Sequence, residues 1–410
     1  MENVTTTTTT TTMTTTSMTT TSMTFNVNYT ADEFLRLPKL VVPHSQMDII
    51  SGYVSTAVVL FTVVTNCIVC VVLLKPHMRT SPTNIILVAL SITTTLTGVW
   101  PLPCNVYFYV FGAYGDWVPA GLCFVYYCLI DYLPTIFHTA SIWLTVLLAV
   151  QRYVSVCHSG SAASRRFRTV ANAGWAIVGV MVAAVLSHAF RFGERRFTAV
   201  VLPSLLHGDD RNVSACIDLL APFVYRHQDV YFSVYYVFRV VFVNVVPCTV
   251  LVLLNAALVH TMRAAEARRK ALLRYHRRSE FRRLAESNST TLMLIVVVGV
   301  FLLVEFPMAV IFVTLIISNV FELEVFDQNS SSIATSVVNL CILFSYLINF
   351  FIYCAMSRQF RETFCGLFVR REASPNRGSR VISLHGTSTR VAGGGDPYSM
   401  VFETDQRATR

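Results

Sequence analysis

From Gly52 onward the chain alternates between long apolar stretches and short polar ones. A helix needs about 20 residues to cross the hydrocarbon core of a bilayer. Seven stretches reach that length, at 53–74, 82–115, 117–151, 169–190, 230–258, 291–320 and 329–357. The pattern predicts an all-α protein, a seven-transmembrane helix bundle over 50–357. Which face of each helix points inward cannot be read from periodicity, because helices in lipid are apolar nearly all round. Beyond the seventh span the rhythm changes. Phe360, Phe364, Leu367 and Phe368 recur at helical intervals within 358–370, which predicts a short amphipathic helix lying on the membrane surface. Residues 1–49 open with a threonine tract that has no hydrophobic face to bury, and 371–410 are rich in Ser, Gly and Arg. Both are expected to be disordered, the first outside the cell and the second in the cytoplasm.

Composition sharpens this picture. Only 13% of the 410 residues are charged and 54% are hydrophobic, whereas soluble proteins carry roughly 25% charged residues. So little charge cannot coat two or three soluble domains. The net charge of +9 resembles a nucleic-acid signal until its location is considered. Lys75 and Arg79 follow the first span, Arg165, Arg166 and Arg168 the third, and a dense run from Arg263 to Arg283 the fifth. The loops after the second and sixth spans hold no Lys or Arg. This bias predicts a plasma-membrane protein with its amino terminus outside, a cytoplasmic carboxy terminus, anionic lipid as a partner and no nucleic acid. The loop after the fourth span is an exception, with Arg191, Arg195, Arg196, Arg211 and Arg226. Asn-X-Ser/Thr acceptors at Asn3, Asn28, Asn212 and Asn329 all fall on the expected outer side, while Asn288 is a chance match on the other.

Within the spans, Asp131, Arg239 and Glu305 are the charged residues. Each costs several kcal/mol against lipid, so each is expected to face the bundle interior. At 1.5 Å per residue Asp131 sits about 12 Å below Cys123, and Arg239 about 14 Å from the outer end of its span. They would either pin helices together or, with His138, floor a cavity open to the outside. Of the eleven cysteines, only outer ones can form a disulfide. Cys123 and Cys216 are the natural pair, with Cys128 and Cys104 as competitors for Cys216. Cys365, beside the surface helix, is a candidate palmitoylation site. No His-Glu-x-x-His or phosphate loop occurs, so no catalysis, metal or cofactor is expected. No lysine lies in any span, which excludes a retinal Schiff base. A transporter often shows inverted repeats; the chain has no internal repeat, and an odd number of spans does not divide into halves.

Several marks appear in order over residues 50–370. They are Asn66 in Thr-Asn-Cys-Ile-Val, Trp117 followed by Cys123, Ala-Val-Gln151-Arg152-Tyr153, Trp175, Pro247, Pro307 and Asn349-Phe-Phe-Ile-Tyr353. Together they resemble the rhodopsin-like (class A) G-protein-coupled receptors. The stretches His138–Tyr153, Phe301-Leu-Leu-Val-Glu305-Phe-Pro307 and Met356-Ser-Arg-Gln-Phe-Arg-Glu-Thr-Phe364 are similar to the invertebrate sex peptide receptor group, also called the myoinhibitory peptide receptors. The resemblance implies a receptor, not an enzyme, for a short amidated neuropeptide. FMRFamide or myosuppressin receptors are the neighbouring alternative.

The resemblance also implies roles for residues. Asp131, His138, Arg239 and Glu305 would line the ligand cavity, and Gln151, Arg152 and Tyr153 would meet a heterotrimeric G protein and arrestin. Pro307 would supply a hinge, with Asn349 and Tyr353 as a switch. Pro134 stands three residues beyond Asp131, where amine receptors carry an aspartate, so an amine ligand is disfavoured. Gln151 replaces an acid that would restrain Arg152, so some ligand-independent activity is expected. Thr94 stands where the family carries a sodium-holding aspartate. Ser141, Ser345 and Asn349 would still line that pocket, but sodium regulation should be weak.

Overall fold

A computed structural model of the protein describes residues 39–40, 46–112, 117–158, 165, 169–204, 208–273, 292, 295–307, 309–311, 313–314, 317 and 328–368. Asn3, Asn28, Asn288, the threonine tract, most of the basic run after the fifth span and the tail from 369 lie outside them.

Among the described residues, six helices are long and apolar enough to cross a membrane. They are α1 (Gln46–Leu73), α2 (Pro82–Val110), α3 (Ala120–Cys157), α4 (Val170–Gly193), α5 (Val230–Ala264) and α7 (Gln328–Met356), with a shorter apolar helix, α6 (Ile295–Ile311), between the last two. After Ser357 the chain turns into α8 (Arg358–Phe368). The Ser357 hydroxyl caps that helix by accepting a hydrogen bond from the Phe360 amide at 3.2 Å.

Helix α3 runs through the middle, packed on α2, α4 and α5, while α1 packs on α2 and α7. Near Cys157 the core is aliphatic: Val69, Val72, Ile86, Leu148, Val297 and Ile352 meet there, and Phe360 of α8 seals it. Phe360 and Phe364 stack on each other and meet Phe350 of α7 edge to face. Leu367 and Phe368 stay exposed, as expected of a face meant for lipid. Most outward apolar side chains are likewise exposed, Trp175 at 75% among them.

Three helices are wound locally to five-residue hydrogen bonding, at Val106–Val110 in α2, Cys128–Tyr132 in α3 and Arg239–Val245 in α5. The turns in α3 and α5 each precede a proline by two residues, Pro134 and Pro247. A proline ring clashes with the carbonyl four residues back and donates no amide hydrogen. An inserted turn of wider winding absorbs that misfit and rotates the residues around it. Asp131 and Arg239 are two of the residues so placed.

The helical expectation holds for the bundle, but one element of the fold is β. Strands β2 (Arg195–Ser204) and β3 (Gly208–Leu220) form an antiparallel hairpin after α4, and β1 (Lys39–Leu40) pairs with the other edge of β3. The strands carry Phe197, Thr198, Val200, Val201, Val213 and Ile217, residues that suit a pleated surface. The hairpin lies over the Cys123 end of the bundle, where Cys123 and Cys216 form a disulfide with their Cα atoms 6.0 Å apart. Cys104 and Cys128, the competing partners, are free thiols.

Helices α1 and α2 approach closely at Gly98, where an added Cβ would sit 2.8 Å from Val59 Cγ2. Overpacking of a helix contact costs about 1–3 kcal/mol. Gly98→Leu is therefore expected to lower the thermal unfolding midpoint of the purified protein. Gly121→Ala, a position with nothing within 4 Å, should leave it unchanged. Equal midpoints for the two variants would refute the close packing of α1 on α2.

Candidate functional site: the cavity beneath the hairpin

A cavity of about 500 Å³ opens among α1, α2, α3, α5 and α7. Asp131, His138 and Arg239 line it together with aromatic side chains, Phe108, Tyr109 and Tyr126. Asn105 of α2 and Asn339 of α7 add amide groups to the wall. This mixture of apolar surface and a few convergent polar groups is characteristic of ligand sites.

Three of the four expected cavity residues thus share one wall, and the fourth lies beneath it. Glu305 is 2% exposed and is absent from the cavity lining. Its Oε1 lies 3.5 Å from His138 Nε2, while His138 Nδ1 is 2.7 Å from the Tyr346 hydroxyl. A tautomer with the hydrogen on Nε2 satisfies both contacts, facing Glu305 and accepting from Tyr346. Glu305 Oε2 has no hydrogen-bond partner among the described residues. Glu305 therefore meets the cavity through His138, and the three side chains tie α3, α6 and α7 together.

Asp131 has a partner that lies beyond the fourth apolar stretch as read from the sequence. Helix α4 continues as a tighter turn over Ala189–Gly193, carrying Arg191 into the bundle, where it is 7% exposed. Arg191 donates from Nη1 and Nη2 to the two carboxylate oxygens of Asp131, at 2.9 and 2.8 Å. Such bidentate pairs combine charge with fixed geometry. Its Nη2 also donates to Glu194 Oε1 at 3.2 Å, and Arg195 Nε donates to that same oxygen at 3.2 Å. Arg195 Nη1 then pairs with Asp218 of β3.

Tyrosines complete the ladder. The Tyr127 hydroxyl donates to Asp218 Oδ2 at 2.9 Å, and the Tyr231 hydroxyl donates to Glu194 Oε2 at 3.1 Å. The Arg191 guanidinium sits 5.2 Å from the ring centres of Tyr132 and Tyr235, and Arg195 sits 5.2 Å from that of Tyr127, within cation–π range. Burial alone would lower the pKa of Arg195, but Asp218, Tyr127 and Glu194 outweigh it and hold the guanidinium above its ordinary value. It stays charged. Arg191, Glu194, Arg195 and Asp218 escaped the sequence reading. Their one signal was the arginine-rich loop that broke the inside-positive pattern, because two of those arginines are neutralised in the fold.

The remaining expected residues are spread along the bundle. Gln151 is buried and accepts a hydrogen bond from Thr83 Oγ1 of α2 at 3.0 Å, where an acid would have faced Arg152. Arg152 forms no ion pair among the described residues, and its Nε is buried without a partner. Tyr153 packs on His158, Tyr353 is 2% exposed in the core and Pro307 faces outward on α6. Asn349 lines a void of about 10 Å³ with Thr94, Ser141 and Ser345, room for about one water. Asn66 Nδ2 donates to Thr94 Oγ1 at 3.3 Å and to Thr95 Oγ1 at 2.9 Å. Asn212 is exposed on β3, Asn329 falls in the first turn of α7 and Cys365 is exposed on α8.

Removing one partner of a buried charge pair leaves the other uncompensated and typically costs about 3–5 kcal/mol. Asp131 keeps 32% of its side-chain surface open, so solvent screening brings the expected loss for Arg191→Met toward the lower end. Its unfolding midpoint should fall well below that of Arg196→Met, an exposed neighbour. Indistinguishable midpoints would mean that the ladder contributes nothing to stability.

Residues 53–371 match the serpentine type 7TM GPCR chemoreceptor family Srw. The chain is 39% identical over 321 residues to the sex peptide receptor of Drosophila melanogaster, covering 78% of this chain and 72% of that protein. It is 34% identical over 339 residues to sex peptide receptor-related protein 2 of Caenorhabditis elegans, covering 80% and 74%. Similarity to the FMRFamide receptor of Drosophila melanogaster is lower, 26% over 318 residues, with 52% of that protein covered. A seven-helix bundle whose apolar helices span a membrane, a disulfide-tied hairpin over a polar-floored cavity and these relatives agree: the chain belongs to the seven-transmembrane G-protein-coupled receptors and is akin to the sex peptide receptor group.

Proposed function

We propose that the protein is a plasma-membrane receptor for a short amidated neuropeptide of the myoinhibitory or sex peptide type, passing agonist binding to a heterotrimeric G protein. The cavity beneath the hairpin carries this reading. About 500 Å³ of mixed aromatic and polar space suits the end of a peptide. Asp131 is already neutralised by Arg191, so an amine ligand meets no unpaired carboxylate there. The names of two relatives, sex peptide receptor and sex peptide receptor-related protein 2, point to the same ligand class. The FMRFamide receptor match is the weaker one.

In this reading the hairpin end faces outward, consistent with a disulfide formed in an oxidising compartment and with basic loops kept inside. Asn3, Asn28, Asn212 and Asn329 carry glycans. Cys365 carries a palmitoyl chain that helps α8 hold anionic lipid. Agonist contact with Asp131, His138 and Arg239 favours an arrangement with α6 swung outward about Pro307. That movement exposes Gln151, Arg152 and Tyr153 to the G protein and, later, to arrestin. The ligand drives the change only through its differential affinity for the two arrangements.

A panel of amidated neuropeptides, read by second messenger in transfected cells, tests the reading directly. A myoinhibitory-type peptide should be the most potent, and a response only to amines or to no peptide would refute it. Glu305→Gln should weaken agonist potency at unchanged surface expression, because Glu305 orients His138. Lost expression with unchanged potency would reduce Glu305 to a helix pin. Sodium should have little effect on agonist affinity compared with a bulky cation at equal ionic strength, since no acid lines the void at Thr94. A steep sodium dependence that Thr94→Asp leaves unaltered would overturn that expectation.

A further inference from the structure

At the end of the bundle opposite the hairpin lies a second cavity of about 230 Å³. It is enclosed by the turn after α1, the start of α2, the Arg152 turn of α3, the end of α7 and the first turn of α8. Its polar lining consists of Arg152, Ser81, Asn84, Tyr353, Ser357 and Gln359; the other lining side chains are apolar and none is acidic.

The groups on this wall are mostly donors with capacity to spare. Arg152 carries the one formal charge, makes no ion pair among the described residues and has a buried, unpartnered Nε. Ser357 Oγ accepts from the Phe360 amide, which leaves its own O–H to donate. Asn84 uses one amide hydrogen on the Met78 carbonyl at 2.8 Å and retains another. The nearest acid on α8, Glu362, is occupied by Arg358 at 2.7 Å on an exposed face. Arg361 Nη1 donates to the carbonyls of Cys354 and Ala355 at the end of α7, adding positive potential without entering the cavity.

A partly buried guanidinium with no ion pair among the described residues lacks a counter-charge, and an oxyanion is its natural complement because the planar fork matches phosphate oxygens. We propose that this cavity is a binding site for a small oxyanion, a phosphate group held by Arg152 with Ser357, Asn84 and Gln359 as further donors. The phosphate can come from free phosphate or from the headgroup of a lipid lying beside α8. A helix with its side chains is about 10–12 Å across, too wide for 230 Å³, so the end of a partner protein fits less well. An oxyanion seated here occupies Arg152 and so competes with any partner that needs that guanidinium. The site does not depend on which ligand fills the other cavity.

The test uses the purified full-length protein in neutral detergent, with its thermal unfolding midpoint followed against inorganic phosphate at constant ionic strength set by chloride. A ligand that binds only the folded state raises the midpoint with saturation. The rise should disappear in Arg152→Gln. In Gln359→Glu, a change on the surface of α8, the apparent Kd should increase about five- to tenfold, the scale of one nearby like charge. Arg358→Ala, outside the cavity, should behave as the parent.

A parallel arm compares nanodiscs of phosphatidylcholine alone with nanodiscs containing phosphatidylinositol 4-phosphate. Stabilisation in this arm alone, lost in Gln359→Glu, supports the site and identifies the lipid as its source. Equal phosphate effects in parent, Arg152→Gln and Gln359→Glu would overturn the proposal. So would no effect in either arm, or stabilisation only by a synthetic peptide bearing a free C-terminal carboxylate, which would assign the cavity to a protein partner.

Discussion

The bidentate pair between Arg191 and Asp131 is the constraint around which the hairpin end is organised. A charge carried into the hydrocarbon layer must find its partner inside the protein, and each of these two finds the other across α3 and α4. Once Arg191 is fixed, Glu194 and Arg195 are brought into line, and Asp218 follows on β3. The ladder alternates in sign along its length, so every member has opposite charge on each side where it has two neighbours. The disulfide from Cys123 to Cys216 ties the same hairpin to the same helix. Covalent and ionic links therefore converge on α3, and the floor of the cavity is held by both.

The charge that this arrangement leaves for a ligand differs from a naive count of acids and bases. Asp131 lines the cavity but has its charge balanced from behind by Arg191. Arg239 lines the same wall and donates to Tyr235 at 3.3 Å. His138 stands between the cavity and the buried Glu305. Any contact made with His138 from the cavity thus bears on α3, α6 and α7 together. This is where a difference in affinity between two helix arrangements can be generated.

The opposite end of the bundle follows another logic. Its core is aliphatic and aromatic, closed by Phe360 from α8, and its polar groups are few. Gln151, a neutral amide bonded by Thr83, precedes Arg152 in place of an acid that could hold it. One end has its ionic partners built into the chain. The other leaves a guanidinium without an ion pair among the described residues.

The sequence by itself determined the number and order of the spans, because about 20 uncharged apolar residues in a row have no stable place except across a bilayer. Cys123 and Cys216 were legible as the natural pair, and the rhythm of Phe360 and Phe364 already described α8. Asp131, His138 and Arg239 could be nominated because polar groups in such helices are costly. Tertiary structure alone decided what these residues do to one another. Arg191 looked like a loop residue because the apolar stretch ends before it, yet helix α4 continues and carries it inward. The β2–β3 hairpin was hidden because its charged residues, Arg195 and Asp218, meet their partners only across the fold. Glu305 was placed beneath the cavity, not on its wall, by the rotation of α6 against α3, which an all-round apolar helix does not encode in its periodicity. Span length is a property of the chain, whereas charge pairing is a property of helices brought together from distant parts of it.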